Sequence, residues 1–310
     1  MPTAGVEAIW ASRLLNHRGA RDTQLMPPEV IEIRAPAKVN LSLAVKRRRD
    51  DGYHEIESWV VKTPPADGVT LRPADALSLR VSGDERVPTD ARNLAWRAAT
   101  RLAEACDAPC RAEMSIEKRI PVGMGLGGGS SDAAAVLIGL QRLWRIELAA
   151  ERLAGIALDV GSDVPLFLRQ SASIIRGRGE RISPAPDWSG YLALVVPPFG
   201  LSTARVYARW RPGRHRPDDR RPWQHAAAGA RELDDRLFND LEEPAKASEP
   251  RLGALFDALD GLAGRRIHMT GSGACLFALF DDDAEAAPWG RRARAAATEP
   301  IRVEVVSVGR

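Results

Sequence analysis

The sequence has few cysteines, little net charge and no long hydrophobic run. The three cysteines, Cys106, Cys110 and Cys275, cannot all pair because their number is odd, and they lack the spacing of metal ligands. They are compatible with a reducing cytosol. A net charge of +3 gives no argument for binding to nucleic acid or to a membrane surface. No apolar run approaches the roughly 18 residues of a membrane span. These absences favour a cytoplasmic enzyme.

Length and composition predict two folded domains. The chain has 310 residues, of which 45% are hydrophobic and 27% charged, as is ordinary for a globular protein with room for two cores. The first 25 residues lack the apolar centre of a secretory signal. We expect a poorly ordered N-terminal extension over residues 1–29, with a transit-like segment as the alternative. An N-terminal domain over 30–185 and a C-terminal domain over 186–310 are expected to follow.

Hydrophobic patterning predicts an irregular alternation of helices and strands, which favours an α+β fold. The stretch from Val30 to Arg48 alternates like a pair of strands that bends at Pro36. Residues 53–61 and 68–81 are expected to supply further, separate strands. Asp90 is the expected cap of the helix that follows. The segment between residues 209 and 230 is rich in proline and arginine, and this composition predicts a solvated loop.

The most informative local feature is a glycine-rich loop between a predicted strand and a predicted helix. The segment PVGMGLGGGSSDAAA has five glycines before Ser130, Ser131 and Asp132, which are residue types that start helices. Glycine lets backbone N–H groups face a ligand, and a helix N-terminus adds unpaired amides and the positive end of the helix dipole. A phosphate site is therefore predicted. Its residues are Pro121, Val122, Gly123, Met124, Gly125, Leu126, Gly127, Gly128, Gly129, Ser130 and Ser131.

Two well-known phosphate loops fit this segment less well. A Walker loop carries a lysine after its glycines, and none follows here. Gly123, Gly125 and Gly128 satisfy the dinucleotide pattern G-x-G-x-x-G. However, the acidic residue expected about 20 positions on falls at Glu147, within a helical pattern rather than at the end of a strand. A glycine-rich surface turn without a ligand is the other alternative.

Three separated segments resemble, in order and spacing, the motifs of the GHMP kinase superfamily. They are PAKVNLSL at 36–43, the glycine loop at 121–135 and HMTGSGACLFALF at 268–280. The segments DDGYHEIES and GSDVPLFL are similar to those of members whose acceptor alcohol carries a cytidine diphosphate group. The resemblance implies an N-terminal domain like the second domain of ribosomal protein S5, joined to a ferredoxin-like C-terminal domain. It also implies phosphorylation of a small-molecule alcohol by ATP in isoprenoid precursor biosynthesis.

The resemblance implies two catalytic residues, Asp163 and Lys38. Asp163 matches the family's catalytic aspartate, whose carboxylate can orient the acceptor hydroxyl and take its proton. Lys38 matches the lysine beside that aspartate, which favours the ionised carboxylate and offsets charge on the transferred phosphate. There is a structural alternative for each residue. Asp163 could cap a short turn before Pro165, and Lys38 could face solvent from an alternating strand.

The resemblance also implies a cytidine pocket. Tyr53 would supply a stacking surface for the base, and His54 a hydrogen bond to its edge. Tyr207 would be the second aromatic, unless it is a core residue of an amphipathic helix. Further substrate-binding candidates are Asn40, beside Lys38 on the same strand, and the glycine turn of Gly271, Ser272 and Gly273.

No metal cage is visible in the sequence. Phosphoryl transfer implies Mg²⁺, which we expect ATP oxygens, water and Ser131 to hold. A homoserine or mevalonate kinase would share the same ATP loop and is the alternative within the superfamily. A nucleotide-binding protein without catalysis is an alternative from another class. No nucleic-acid or membrane partner is expected, and the chain is expected to be a monomer or a weak homodimer.

Overall fold

The N-terminal part of the chain forms a six-stranded sheet. The computed structural model describes residues 30–169, 171–212 and 221–309. The first sheet has the order β3-β4-β2-β5-β6, and β1 pairs with the other edge of β2. Only β3 and β4 run parallel among these pairs. The strands are β1 (Ile31–Arg48), β2 (His54–Arg72), β3 (Leu77–Ser82), β4 (Ala112–Glu117), β5 (Ser173–Gly177) and β6 (Arg181–Pro184).

Helices cover one face of this sheet. These helices are α1 (Leu94–Cys106), α2 (Gly128–Leu143) and α3 (Ala150–Val160). A 3₁₀ turn over Val164–Leu168 follows α3. α2 packs directly on β1 and β2, and α1 and α3 pack beside it. The α2 residues that face the sheet and its neighbouring helices are mostly alanine, valine and leucine and are buried. Burial of this apolar face, rather than helix propensity alone, stabilises the arrangement.

β1 and β2 are long continuous strands, so the predictions of a bent pair at Pro36 and of separate strands after residue 53 were wrong. The pairing register explains why. Pro36 lies opposite Ala66, whereas Ala37 lies opposite Thr63, so the two prolines at 64 and 65 are left in a bulge. Proline has no N–H to donate to a ladder, and a bulge is a place where a sheet tolerates it. Within 68–81, only the last residues form a strand of their own, β3.

The C-terminal part forms a four-stranded antiparallel sheet with the order β10-β7-β9-β8. α8 packs on β7, β9 and β10. Both sheets with their helices agree with the predicted α+β class. The strands are β7 (Gly190–Val196), β8 (His268–Met269), β9 (Leu276–Phe280) and β10 (Arg302–Val308). The helices are α4 (Thr203–Arg209), α5 (Ala230–Asp234), α6 (Glu242–Ser248), α7 (Pro250–Leu259) and α8 (Asp283–Ala296), with 3₁₀ turns at Pro222–His225 and Leu262–Gly264.

Two further local predictions need correction. Asn93, not Asp90, caps α1, because its side chain accepts the N–H of Ala95 at 2.9 Å. Asp90 instead accepts hydrogen bonds from the backbone and guanidinium of Arg92. The expected solvated loop at 209–230 is partly buried, since Trp223 is 8% exposed. Residues 213–220 of that loop, and the expected extension at 1–29, lie outside the described residues.

The two parts of the chain meet along β1 and β2. The backbone N–H of Leu43 donates to the carbonyl of Phe238, and the N–H of Asp240 donates to the carbonyl of Leu43, both at 2.9 Å. Thr63 on β2 donates its hydroxyl to the carbonyl of Ser307 on β10. β1 therefore holds residues of the first motif against a segment some 200 positions away in the chain. Within the described ranges, no helix is both long and apolar enough to cross a membrane.

Candidate active site

A cavity of about 1300 Å³ brings together residues from all the sequence motifs. Strands of the first sheet contribute to its wall, together with the glycine loop, α4 and the turn between β8 and β9. The predicted site residues that line it are Lys38, Asn40, Tyr53, His54, Gly125, Gly127, Asp163, Tyr207, Gly271 and Ser272. The other predicted residues of the glycine loop, and Gly273, lie outside this lining. The cavity thus joins the candidates for phosphate transfer and those for cytidine binding.

α2 begins at Gly128, before the three residues from Ser130 to Asp132 that were expected to start it. Gly127 is the capping residue, with a φ of +74° that glycine adopts without strain. None of the described side chains caps this end of the helix, so the first-turn N–H groups are available to an anion. The hydroxyl of Ser131 is buried and has no hydrogen-bond partner among the described residues. A helix N-terminus without a side-chain cap, beside a hydroxyl without a hydrogen-bond partner, is suited to bind a phosphate and its metal ion.

The glycine loop packs against the third motif. A Cβ atom on Gly125 would lie 3.1 Å from the carbonyl oxygens of both Thr270 and Gly273, so a larger residue would push the two loops apart. The side-chain amide of Asn239 donates to the carbonyls of Met269 and Gly271 at 2.8 Å and holds the third motif in this shape. The carbonyl of Gly273 is therefore part of the contact between the two loops, although Gly273 does not line the cavity.

Lys38 is buried in a polar network on β1. The side chain is 7% exposed, and its ammonium donates to the amide oxygen of Asn40. Asn40 donates its own amide N–H to the hydroxyl of Ser58 at 2.7 Å and its backbone N–H to the hydroxyl of Thr270 at 2.8 Å. A Cβ on Gly271 would lie 3.3 Å from the Lys38 Nζ. The alternative in which Lys38 faces solvent is excluded by this burial.

Lys38 and Asp163 act on each other electrostatically. Burial lowers the pKa of Lys38, and the carboxylate of Asp163 is the largest influence that opposes this lowering. Asp163 lies at the start of the 3₁₀ turn, but its side chain makes no capping hydrogen bond. The capping alternative for Asp163 therefore has no support in the structure, and its carboxylate is available to a ligand.

The aromatic residues form a cluster that differs from the expected pair. Tyr207 packs on His54 with 5.0 Å between ring centroids, and Trp210 meets His54 edge-on at 5.4 Å. Tyr53 is 58% exposed, and the guanidinium of Arg178 lies 4.8 Å from its ring centroid. Sequence reasoning missed Trp210, although it follows Tyr207 by three residues and so lies near it at the end of α4. It also missed Arg178, whose place in a hairpin turn carries no local sign of a site.

The titratable groups of the cluster are shifted toward their neutral forms. Burial, helped by the charge of Arg48, lowers the pKa of His54, so the imidazole is neutral at pH 7. Burial also raises the pKa of Tyr207, and the carboxylate of Asp163 raises it further. Tyr207 therefore interacts electrostatically with Asp163 and packs against His54. The aromatic cluster and the candidate catalytic carboxylate are parts of one site.

A buried charge cluster lies beneath the glycine loop. The ammonium of Lys118 donates to Asp132 in α2 at 2.7 Å and to Asp67 in β2. Asp67 also accepts the backbone N–H groups of Arg119 and Ile120, at 2.6 and 2.8 Å. The cluster ties the end of β4 to the first turn of α2 and so fixes both ends of the loop. Its members are too far apart in the sequence for a local pattern to reveal it.

The described part of the chain offers no ready-made metal cage. No group of three or more His, Cys, Asp or Glu side chains within it could hold a metal ion. The unpartnered hydroxyl of Ser131 is the feature that fits a magnesium ion, because Mg²⁺ prefers oxygen ligands and commonly takes most of them from phosphates and water.

Comparison with known proteins gives matches along most of the chain. The family models described as GHMP kinases N terminal domain and GHMP kinases C terminal match residues 93–171 and 223–296. A protein of Salinibacter ruber named 4-diphosphocytidyl-2-C-methyl-D-erythritol kinase is 42% identical over 260 residues. The aligned region covers 81% of this chain and 90% of that protein.

Solved structures agree with these matches. A crystal structure of a 4-(cytidine 5'-diphospho)-2C-methyl-D-erythritol kinase aligns with a TM-score of 0.75 and 34% identity, covering 90% of this chain and all of that one. The homoserine kinase from Cytophaga hutchinsonii aligns with a TM-score of 0.68 at 18% identity, over 95% of this chain and 97% of that chain. The second likeness concerns the fold alone. Together they confirm the predicted two-domain α+β fold.

Proposed function

The chain belongs to the 4-diphosphocytidyl-2-C-methyl-D-erythritol kinases, a branch of the GHMP kinases, and we propose that its central cavity is where their reaction takes place. That reaction transfers the γ-phosphate of ATP to the 2-hydroxyl of 4-diphosphocytidyl-2-C-methyl-D-erythritol, a step of isoprenoid biosynthesis. One observation carries the proposal. The cavity that contains Lys38 and Asp163 also contains the aromatic cluster around His54.

Asp163 is the proposed base. Its carboxylate orients the acceptor hydroxyl and takes its proton as the oxygen–phosphorus bond forms. At the same time the bond from the γ-phosphorus to the bridging oxygen breaks, and ADP leaves. A tertiary hydroxyl is a weak nucleophile at neutral pH, so a hydrogen-bonded carboxylate assists it chiefly through orientation and proton acceptance. The absence of a capping bond from Asp163 supports this role.

Lys38 is the proposed electrostatic partner. Its buried ammonium, oriented by Asn40, offsets negative charge that develops on the transferred phosphate. In water-poor surroundings such a fixed charge acts more strongly than it would in solvent. The lowered pKa of Lys38 reflects the cost of this burial, and Asp163 limits that cost.

The glycine loop and the start of α2 are the proposed ATP site. The first-turn N–H groups of α2 face the phosphates, and the helix dipole favours their charge. Ser131 is the protein group that would hold Mg²⁺ together with phosphate oxygens and water. When bound, the metal supplies positive charge that offsets the phosphate oxygens.

The proposed cytidine site consists of His54, Tyr53, Tyr207 and Trp210. A neutral imidazole can donate from one ring nitrogen and accept at the other, which suits the edge of a cytosine. The exposed ring of Tyr53 offers a stacking face.

We further propose a domain boundary between residues 185 and 186, which lies between the last strand of the first sheet and the first strand of the second. Action in the cytoplasm, as a monomer or weak homodimer, completes the proposal.

A coupled assay of ADP release tests the function. The purified protein is incubated with Mg²⁺–ATP and, in separate reactions, with the cytidine-bearing alcohol, homoserine or mevalonate. Turnover is expected with the first alcohol alone, and Tyr53→Ala should raise the KM for that alcohol without changing the KM for ATP. Turnover with homoserine or mevalonate, or with none of the three, would overturn the assignment.

A further inference from the structure

Arg178 occupies the tip of the β5–β6 hairpin, in a turn that holds it rigidly. Gly177 and Gly179 have φ angles of +74° and +114°, which larger residues rarely adopt. Within the turn, the carboxylate of Glu180 accepts the backbone N–H of Arg178. A Cβ on Gly177 would overlap that same carboxylate, so the turn has little freedom to change shape. The arginine side chain is therefore presented into the cavity from a fixed backbone.

The turn spans the two halves of the proposed acceptor site. On one side, the Arg178 guanidinium lies 4.8 Å from the ring centroid of Tyr53. On the other side, a Cβ on Gly179 would lie 3.6 Å from Oδ1 of Asp163. In the acceptor, the diphosphate separates the cytidine from the carbon skeleton that carries the reacting hydroxyl. A group located between the base site and the catalytic carboxylate therefore faces the diphosphate.

The guanidinium of Arg178 has no carboxylate partner within ion-pair distance among the described residues. Its neighbours differ in this respect. Arg181, on the same hairpin, pairs with Glu55 at 3.1 Å, and Arg176 pairs with Glu57 at 2.6 Å. Asp51 feels the charge of Arg178, but its carboxylate already accepts hydrogen bonds from Arg49 and from the N–H of Tyr53.

We infer that Arg178 binds the diphosphate of the acceptor and thereby selects acceptors that carry a nucleoside diphosphate. The guanidinium has a flat fork of donors that matches phosphate oxygens, and its contact with the face of the Tyr53 ring limits its movement. The inference rests on the proposed function. It adds a charged group to a site otherwise described by aromatic rings, and it explains why an arginine without an ion-pair partner stands over an exposed tyrosine.

The test compares two probes, CDP and cytidine, by isothermal titration calorimetry. The variants are Arg178→Met, Arg178→Lys and the matched control Arg181→Met, which removes the same charge from the same hairpin outside the cavity lining. Arg178→Met should weaken CDP binding by about 10- to 100-fold, the range for losing hydrogen bonds to a charged group, and cytidine binding by under about threefold. Arg178→Lys should lose less, and Arg181→Met should bind both probes like the wild type.

Kinetics separate this role from a disturbance of the hairpin. Loss of diphosphate binding should raise the KM for the acceptor at least about tenfold and leave kcat and the KM for ATP within about threefold. A shift of Asp163 through Gly179 would instead lower kcat. Equal weakening of CDP and cytidine, or an Arg178→Met variant that behaves like Arg181→Met, overturns the inference while wild-type turnover leaves the proposed function intact. A wild type that neither binds CDP nor turns over the acceptor overturns both.

Discussion

Gly127 lies so close to the side chain of Lys38 that a Cβ atom there would force a shift of its neighbours. A Cβ atom on Gly127 would lie 2.9 Å from Cγ of Lys38 and 2.8 Å from Cζ of Phe167. The backbone N–H of Lys38 also donates to the carbonyl of Leu126 at 2.9 Å. The proposed phosphate loop and the proposed catalytic lysine are thus packed as one unit.

Replacement of Gly127 by alanine should therefore impair catalysis. The added methyl group would displace the lysine stem or the loop, and a misplacement of about 1 Å near reacting groups can cost about 100-fold in rate. Gly261→Ala is the matched control, because Gly261 has a similar φ of +73° but open space around the added Cβ and lies outside the cavity lining. Both variants should lose a similar amount of stability to backbone strain, and only Gly127→Ala should lose most of its kcat. Equal kcat values in the two variants would show that the contact does not matter.

Lys38→Met should raise thermal stability while it abolishes most activity. Removal of one charge-stabilising group typically lowers kcat by about 10²- to 10³-fold. Burial lowers the pKa of Lys38, so the folded state disfavours the protonated lysine. The wild type therefore loses folding free energy at every pH at which Lys38 is charged. The unfolded chain binds that proton more tightly, so the Tm advantage of the variant should be greatest near neutral pH. It should shrink as pH rises toward 10.5, the ordinary pKa of lysine. A variant less stable than the wild type at pH 7 would contradict this.

Asp163→Asn should lose activity without losing fold. The carboxamide cannot take a proton, and removal of a general base typically costs about 10²- to 10⁴-fold in rate. The acceptor KM should change little, because the base site and the proposed diphosphate contact remain. Steady-state kinetics and a thermal scan measure both effects. A variant that retained more than a tenth of wild-type kcat would remove Asp163 from the catalytic role.

Acceptor binding should weaken at acidic pH because of His54. Burial and the charge of Arg48 hold its pKa below the ordinary 6.5, so the imidazole gains a proton only as pH falls below that value. Protonation removes the acceptor nitrogen, and the KM for the cytidine-bearing alcohol should rise as pH falls from 7 toward 5. In His54→Gln this pH dependence should disappear, with a KM that is already raised at pH 7. A wild-type profile that stayed flat across that interval would contradict the role of His54.

Lys118→Met should strongly destabilise the fold. It would leave the carboxylates of Asp67 and Asp132 buried without their shared cation, and breaking a buried pair in this way typically costs about 3–5 kcal/mol. Arg119→Met is the matched control, since Arg119 makes an exposed ion pair with Glu117 that should contribute at most about 1 kcal/mol. Urea denaturation measures both free energies of unfolding. Similar free energies of unfolding for the two variants would mean that the buried cluster does not stabilise the fold.

Local chemistry was enough to predict many elements of the fold. The helix α1, and the strand and helix on either side of the glycine loop, all follow from periodicity and turn residues over short stretches. The errors arose where pairing outweighed local preference. The prolines of β2 did not end the strand, because the bulge opposite Pro36 removed the need for their N–H groups. α2 began early because Gly127 could take a left-handed conformation, so that no serine cap was required.

The sequence by itself determined which chemical groups are present and which motifs they belong to: a glycine loop before a helix, a lysine in a strand, an aspartate before a proline turn. Those features depend on residues close together in the chain, where spacing and side-chain type carry the information. Only the tertiary structure decided that Arg178 lies over Tyr53, that Trp210 meets His54 and that Lys118 sits between two carboxylates. Such contacts depend on strand register and on how the two parts of the chain meet along β1 and β2, and neither is encoded in any short segment.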